Sequence, residues 1–170
     1  QETVLYAIFD SDLGRALAAW RGAALAALLF GEDDAALLAD LRRRFPAAQR
    51  LPAAADDPRI AAVQARLADP AGTFDDLALD PRGTAFQQAV WAALRGIPPG
   101  ETVGYGDLAR RLGRPGAARA VGGACAANPV AVAIPCHRVV AADGGLGGYR
   151  WGSARKRTLL AREGVSLDRA

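Results

Sequence analysis

The chain has 170 residues, 51% apolar and 23% charged, which fits a soluble globular protein with enough length for one domain or two small ones. Its net charge of +3 is unevenly spread: residues 1–82 hold nine arginines against thirteen acidic residues, while residues 83–170 hold twelve basic residues against five acidic ones. No apolar run approaches the ~20 residues that span a bilayer, Gln1-Glu2-Thr3 does not open a signal peptide, and two cysteines with one histidine make neither a disulfide framework nor a four-ligand zinc site.

The chain lacks methionine, even at position 1, and so reads as a fragment or a processed product. Residues 3–10 are short, apolar and rich in strand formers, and Asp10-Ser11-Asp12 reads as a turn. Two more apolar runs, 13–21 and 22–30, meet at Arg21-Gly22 as a hairpin, although their alanines soften the strand assignment. Acidic Glu32, Asp33 and Asp34 open a helix in which Ala35, Leu37, Leu38, Leu41 and Phe45 recur at helical spacing. Arg42, Arg43 and Arg44 occupy its last turn and Pro46 ends it. Residues 46–57 form a connection. Residues 58–69 read as a helix with Ile60, Val63 and Leu67 on one face. A linker at 72–81, with a short strand at 77–79, closes an N-terminal domain of residues 1–82.

The C-terminal domain, 83–170, begins with Thr84-Ala85-Phe86-Gln87, which has the form of a capping box. Phe86, Val90, Leu94 and Ile97 predict the buried stripe of that helix, with Trp91 nearby. Pro98-Pro99-Gly100 stops it. Helices at 105–112 and 117–127 around Gly113-Arg114-Pro115-Gly116 have the helix-turn-helix pattern. Small residues dominate the second helix: Ala117, Ala118, Gly122, Gly123 and Ala124. Each glycine there costs ~1 kcal/mol of helix stability against alanine. That cost is worthwhile for packing against a neighbouring helix, or for entering a minor groove ~6 Å wide. Arg110, Arg111, Arg114 and Arg119 favour a polyanionic partner, nucleic acid. Residues 131–140 are apolar, interrupted only by Pro135-Cys136-His137-Arg138. A glycine-rich loop follows, and Ser153 is expected to cap a last helix that runs to Glu163, with Gly164 as its stop.

Cys136 and His137 are the candidates for nucleophilic chemistry. A free thiol, with a pKa near ~8.5, needs a base or a lowered pKa at neutral pH. His137 is the only imidazole, yet neighbouring residues on a strand point to opposite faces. Either Pro135 breaks the strand, or a water joins thiol and imidazole. The carboxylates available to orient His137 are Glu101, Asp107, Asp143, Glu163 and Asp168, with Glu163 and Asp143 favoured. Cys125 reads as core packing. A reducing cytoplasm fits two free thiols. Three readings stay open at this point: group transfer to Cys136, a cysteine hydrolase, and a non-enzymatic helix-turn-helix regulator.

The motif Pro135-Cys136-His137-Arg138-Val139 resembles the signature of the O6-alkylguanine-DNA alkyltransferases. Gly100-Glu101-Thr102-Val103-Gly104-Tyr105, Ala117-Ala118-Arg119-Ala120-Val121-Gly122 and Asn128-Pro129 match in order and spacing. Leu13-Gly14-Arg15, residues 42–47 and Gly148-Tyr149-Arg150-Trp151-Gly152 are most similar to the alkyltransferase domain of bacterial adaptive-response proteins. The resemblance implies an α/β protein. Its N-terminal domain would be a small antiparallel sheet with helices, RNase H-like, and its C-terminal domain mostly helical and winged-helix-like. It implies single-turnover DNA repair, in which Cys136 takes the alkyl group from O6-alkylguanine, and from O4-methylthymine. His137 would act as base through a water, Glu163 would orient His137, and Tyr105 would donate to the departing guanine. Arg119 would fill the space of the flipped base, with Tyr105, Ala117, Ala118 and Gly122 also against DNA. Asn128 would brace the helix-turn-helix against the active-site turn, and Val139 and Arg150 would line the guanine pocket. The implied partner is double-stranded DNA, entered from the minor groove by a monomer that needs no cofactor, metal or membrane. Gly104 and Gly106 depart from the polar residues expected around Tyr105. The N-terminal zinc site that some relatives carry is not expected here, because no Cys or His precedes Cys125.

Overall fold

The computed structural model describes residues 3–52, 57–70 and 73–165. Parts of the two predicted linkers, at 53–56 and 71–72, and the candidate carboxylate Asp168 lie outside the described residues. Contacts divide the chain into two compact units, one of residues 1–81 with 129–131 and one of residues 82–128 with 132–170.

The first unit is built on a four-stranded sheet. β1 (Val4–Ser11), β2 (Gly14–Arg21) and β3 (Ala24–Phe30) form an antiparallel meander, and β4 (Gln49–Arg50) adds in parallel to β1, giving the order β3-β2-β1-β4. The β2–β3 turn falls at Gly22, whose φ of 58° suits glycine. Ala16 to Ala19 on β2 and Ala26 and Ala27 on β3 are almost fully buried. Both faces of the central strand are covered, so thin, weakly strand-forming alanines serve there where polar alternation would not. The outer edge of β3 is covered by single bridges. Leu25 pairs with Leu79, the remnant of the strand expected at 77–79, and Leu28 pairs with Val130.

Two helices complete this unit. α1 (Asp34–Arg44) starts where Asp33 accepts the Ala36 N–H. Its buried stripe is narrower than the periodicity predicts: Leu37 and Leu41 are buried, Ala35 is exposed, and Phe45 is half-buried beneath the Arg21 guanidinium. α2 (Pro58–Ala68) has Asp57 as its cap and buries Ile60, Val63 and Leu67, the expected face.

The second unit is mostly helical. α3 (Ala85–Arg95) carries both bonds of the capping box between Thr84 and Gln87. Val90, Trp91 and Leu94 form its buried face. Phe86 was expected inside but is half-buried, with Arg114 over its ring, and Trp91 takes the central place. β5 (Val103–Gly104) leads into α4 (Tyr105–Arg111), and α5 (Ala118–Ala126) follows after a turn. The Trp91 indole N–H donates to Ala124 O at 2.9 Å, pinning α3 to α5.

Residues 131–138 are not a strand. The segment turns, and only β6 (Val139–Val140) pairs, in parallel with β5. Val132 has φ 67°, a costly conformation for a β-branched residue. α6 (Ser153–Arg162) closes the unit. Ser153 is its first helical residue rather than its cap. Gly152, with φ 99°, holds the cap position, a backbone geometry that serine adopts poorly. At the other end Gly164 N–H bonds Ala161 O and Val165 N–H bonds Leu160 O, a Schellman stop. That stop fixes Glu163 at the helix terminus.

Candidate active site

Pro135 sets the site. Its φ of −81° and ψ of 61°, with the Cys136 N–H bonded to Ile134 O at 2.8 Å, make an inverse γ-turn. Residues Cys136–Arg138 then form one 3₁₀ turn, closed by Arg138 N–H to Pro135 O at 3.0 Å. Proline's fixed φ suits this turn. The strand alternation considered for Cys136 and His137 does not apply, because the chain has left the strand.

The thiol of Cys136 is almost fully buried. Burial pushes it up from the ordinary thiol value, and the Asn128 amide, Lys156, the Cys136 backbone and Arg150 pull the other way. Asn128 is itself fully buried at the end of α5. Its Nδ2 donates to Ile134 O at 2.9 Å and to Cys136 Sγ at 3.3 Å, while its backbone carbonyl accepts from Arg150 Nη1 at 2.8 Å. One side chain thus ties the helix end to the active-site turn and solvates the sulfur.

His137 is fully buried. Its Nε2 lies 2.9 Å from Glu163 Oε2. Glu163 also accepts from Arg138 Nε at 3.0 Å and Nη2 at 2.8 Å, and Arg138 Nη1 donates to Ile97 O at 2.6 Å. Burial alone would raise the Glu163 carboxyl, but the bonds from His137 and Arg138 outweigh it and hold the group at about 2. A permanent carboxylate on Nε2 keeps the proton there and leaves Nδ1 as the basic atom. Nδ1 is buried without a protein partner. Burial lowers the imidazole pKa more than Glu163 raises it, so His137 is neutral at pH 7.

Beside the thiol is a cavity of about 270 Å³ whose wall includes Tyr105, Gly122, Cys125, Cys136, Tyr149 and Arg150. Tyr105 is the first residue of α4, and burial raises its hydroxyl above the ordinary phenol value, with the Gly148 backbone pulling the other way. Gly147 must be glycine: its φ is +74°, and a Cβ would stand 3.4 Å from the Tyr105 ring and 3.5 Å from Lys156 Nζ.

Cys136, Tyr105, Gly122 and Arg150 therefore meet at one cavity, with Asn128, His137 and Glu163 behind the thiol. Val139 is fully buried beneath it, its carbonyl bonded to Lys156, and is not on the wall. Arg119 is exposed on α5, with Ala117 and Ala118 half-exposed at the start of that helix. Asp107 is bonded to Arg110, and Asp143 caps its own loop at Gly145 N, so of the two favoured carboxylates it is Glu163 that reaches the imidazole. Sequence reasoning missed Arg138 and Lys156. Their long-range bonds leave no local pattern, though a lysine amid the apolar positions of the last helix was a signal. Cys125, read as core packing, is buried in the core on α5 and also borders the cavity.

Residues 85–165 match the family described as 6-O-methylguanine DNA methyltransferase, DNA binding domain. The crystal structure of Mycobacterium tuberculosis OGT in complex with DNA superposes with a TM-score of 0.74 at 39% identity, covering 94% of this chain and 92% of that one. The chain belongs to the O6-methylguanine-DNA methyltransferase family. It is 51% identical over 167 residues to the bifunctional transcriptional activator/DNA repair enzyme Ada of Escherichia coli, covering 98% of this chain and 47% of Ada. It is 57% identical over 88 residues to a methylated-DNA–protein-cysteine methyltransferase of Mycolicibacterium paratuberculosis, covering 52% of this chain and 53% of the relative. The chain spans about half the length of these curated relatives. Among the described residues, no helix is long and apolar enough to cross a membrane.

Proposed function

We propose that this protein repairs DNA by transferring the alkyl group of O6-alkylguanine, and of O4-methylthymine, irreversibly to Cys136. The observation that carries the reading is the arrangement around the sulfur. The buried thiol opens on a base-sized cavity, with the Asn128 amide on Sγ and a neutral His137 held by Glu163 behind it. The Cys136 proton passes through a water to His137 Nδ1. The thiolate sulfur then bonds to the alkyl carbon as the bond from that carbon to guanine O6 breaks. The departing guanine takes a proton or hydrogen bond from Tyr105. The product is a thioether, which water does not cleave, so each molecule acts once.

Double-stranded DNA entered from the minor groove fits the surface of α4 and α5. Nothing in the protein lies within 4 Å of a Cβ built on Gly123, and a Cβ on Gly122 meets the Tyr105 ring only at ordinary contact distance. Gly122 and Gly123 are therefore not required by a neighbouring helix, which favours close approach from outside. Arg119 stands exposed on the same helix, suited to the space a flipped base leaves. In this reading residues 1–82 are an RNase H-like domain and residues 83–170 a winged-helix-like one. The protein acts as a cytoplasmic monomer, and of the two residues expected to line the guanine pocket Arg150 stands on its wall.

An oligonucleotide containing O6-methylguanine tests the proposal. Intact-protein and peptide mass spectrometry should show one methyl gained on Cys136 per protein molecule, and Cys136→Ser should bind DNA without accepting it. Multiple turnover, or unmodified Cys136 after prolonged incubation, would sink the reading.

A further inference from the structure

Lys156 is the one lysine of the chain and is fully buried. It sits on α6 among Leu159 and Leu160, where an apolar residue would be expected. Its Nζ donates to Val139 O at 2.6 Å and to Gly148 O at 2.9 Å. Gly148 stands on the cavity wall together with Tyr105. One ammonium thus fastens the strand that follows the Cys136 turn to the loop that lines the cavity beside Tyr105. A buried cation is costly unless it is compensated, and two carbonyl dipoles compensate only part of a full charge. The remaining partner is the Cys136 sulfur, which as a thiolate would supply the missing negative charge.

We propose that Lys156 is a positioning residue for the transfer, whose buried positive charge stabilises the Cys136 thiolate while its two hydrogen bonds hold the Tyr105 wall of the cavity. The proposal rests on the reading of Cys136 as alkyl acceptor. The direction of the field is consistent from both ends. Lys156 lowers the thiol pKa, and the thiols raise that of Lys156, which burial brings down to about 8. Other titratable groups face this space. Arg150 also favours the thiolate. Cys125 is pushed up to about 12 by burial and stays neutral. Tyr105 and Tyr149 are raised by burial and stay neutral, and His137 is kept uncharged by burial. Lys156 and Arg150 are therefore the two cations that act on the sulfur, and Lys156 is the fully buried one.

The test uses the full chain and three variants: Lys156→Met, Lys156→Gln and Lys156→Arg. The rate of Cys136 carboxamidomethylation by iodoacetamide is followed against pH by peptide mass spectrometry, which needs no alkylated DNA. Transfer from O6-methylguanine DNA is measured in parallel at single turnover. Met and Gln should both move the Cys136 midpoint upward by about one pH unit, a roughly ten-fold loss of thiolate at pH 7. Both should slow transfer with duplex affinity unchanged, and Arg should keep the midpoint near wild type. Gln carries donors without charge, so a wild-type midpoint for Gln would overturn the electrostatic role. Should Arg fail to fold, the Met and Gln profiles against wild type still decide. If the midpoints shift as expected but no variant, nor wild type, accepts a methyl group, the alkyl-transfer reading fails and the charge assignment stands.

Discussion

Glu163 accepts from His137 and Arg138 at once, and its side chain is 7% exposed. The unfolded chain binds more protons than the native protein at two of these groups. His137 is depressed by burial from its ordinary 6.5, and Glu163 is depressed from 4.5 to about 2. Stability therefore falls as pH falls, first below about 6.5 as the unfolded histidine protonates, then from about 4.5 toward 2 as the Glu163 contribution is lost. Urea denaturation of Glu163→Gln should lose the second, lower step. At pH 7 the variant should be less stable by about 3–5 kcal/mol, because Arg138 is left buried without its counter-ion. Transfer should slow as well, since His137 loses the group that fixes its proton on Nε2. An unchanged acid limb would show that another carboxylate carries the linkage. Cys136 and His137 could be named from residue types and neighbourhood alone, whereas Glu163 was separated from Asp143 only by the family resemblance. The Asn128 amide on the sulfur and the Arg138 clamp could not, because nothing local in the sequence encodes a contact made across 8 or 25 residues.

At the scale of elements, the helices written in complete local codes were readable. The Thr84 to Gln87 box and the Ile60, Val63, Leu67 face need only spacing and residue type. The failures share a cause, in that the backbone decided and the side chain followed. Gly152 takes the cap position that Ser153 could have filled, and at Pro135 a γ-turn breaks the strand, one of the two alternatives the sequence left open. Phe86 yields the interior to Trp91, because Trp91 alone can both fill the core and bond Ala124 O. Trp91→Phe tests that last point. It removes one buried hydrogen bond and part of a ring, at a cost of about 1.5–3 kcal/mol. The loss should appear in the urea midpoint. The Cys136 pH profile should not move, since Trp91 is neither among the groups that act on the thiol nor on the wall of its cavity. A shifted profile would mean that α5 has moved and carried Asn128 with it.

At the scale of the whole molecule, the charge asymmetry between the two halves of the sequence becomes a surface with a direction. Arg110 is bonded to Asp107 and Arg114 lies over Phe86, while Arg111 and Arg119 stand exposed. The paired arginines are partly committed to the protein, so Arg111 and Arg119 should dominate contact with a polyanion. Each phosphate contact removed lowers the slope of log affinity against log salt by about 1. Arg111→Ala should behave as a phosphate contact, weakening duplex binding and flattening the slope without altering transfer at saturating DNA. Arg119→Ala should behave differently if its side chain replaces the flipped base. Transfer from duplex DNA should then slow at least ten-fold even when binding is saturated, because the extruded state loses its support at a cost of ~1.4 kcal/mol or more. Reaction with O6-methylguanine presented as the free nucleoside needs no extrusion and should be unaffected. Equal losses on the two substrates would place Arg119 in the chemistry of the cavity, and a loss confined to the salt slope would make it one more phosphate contact.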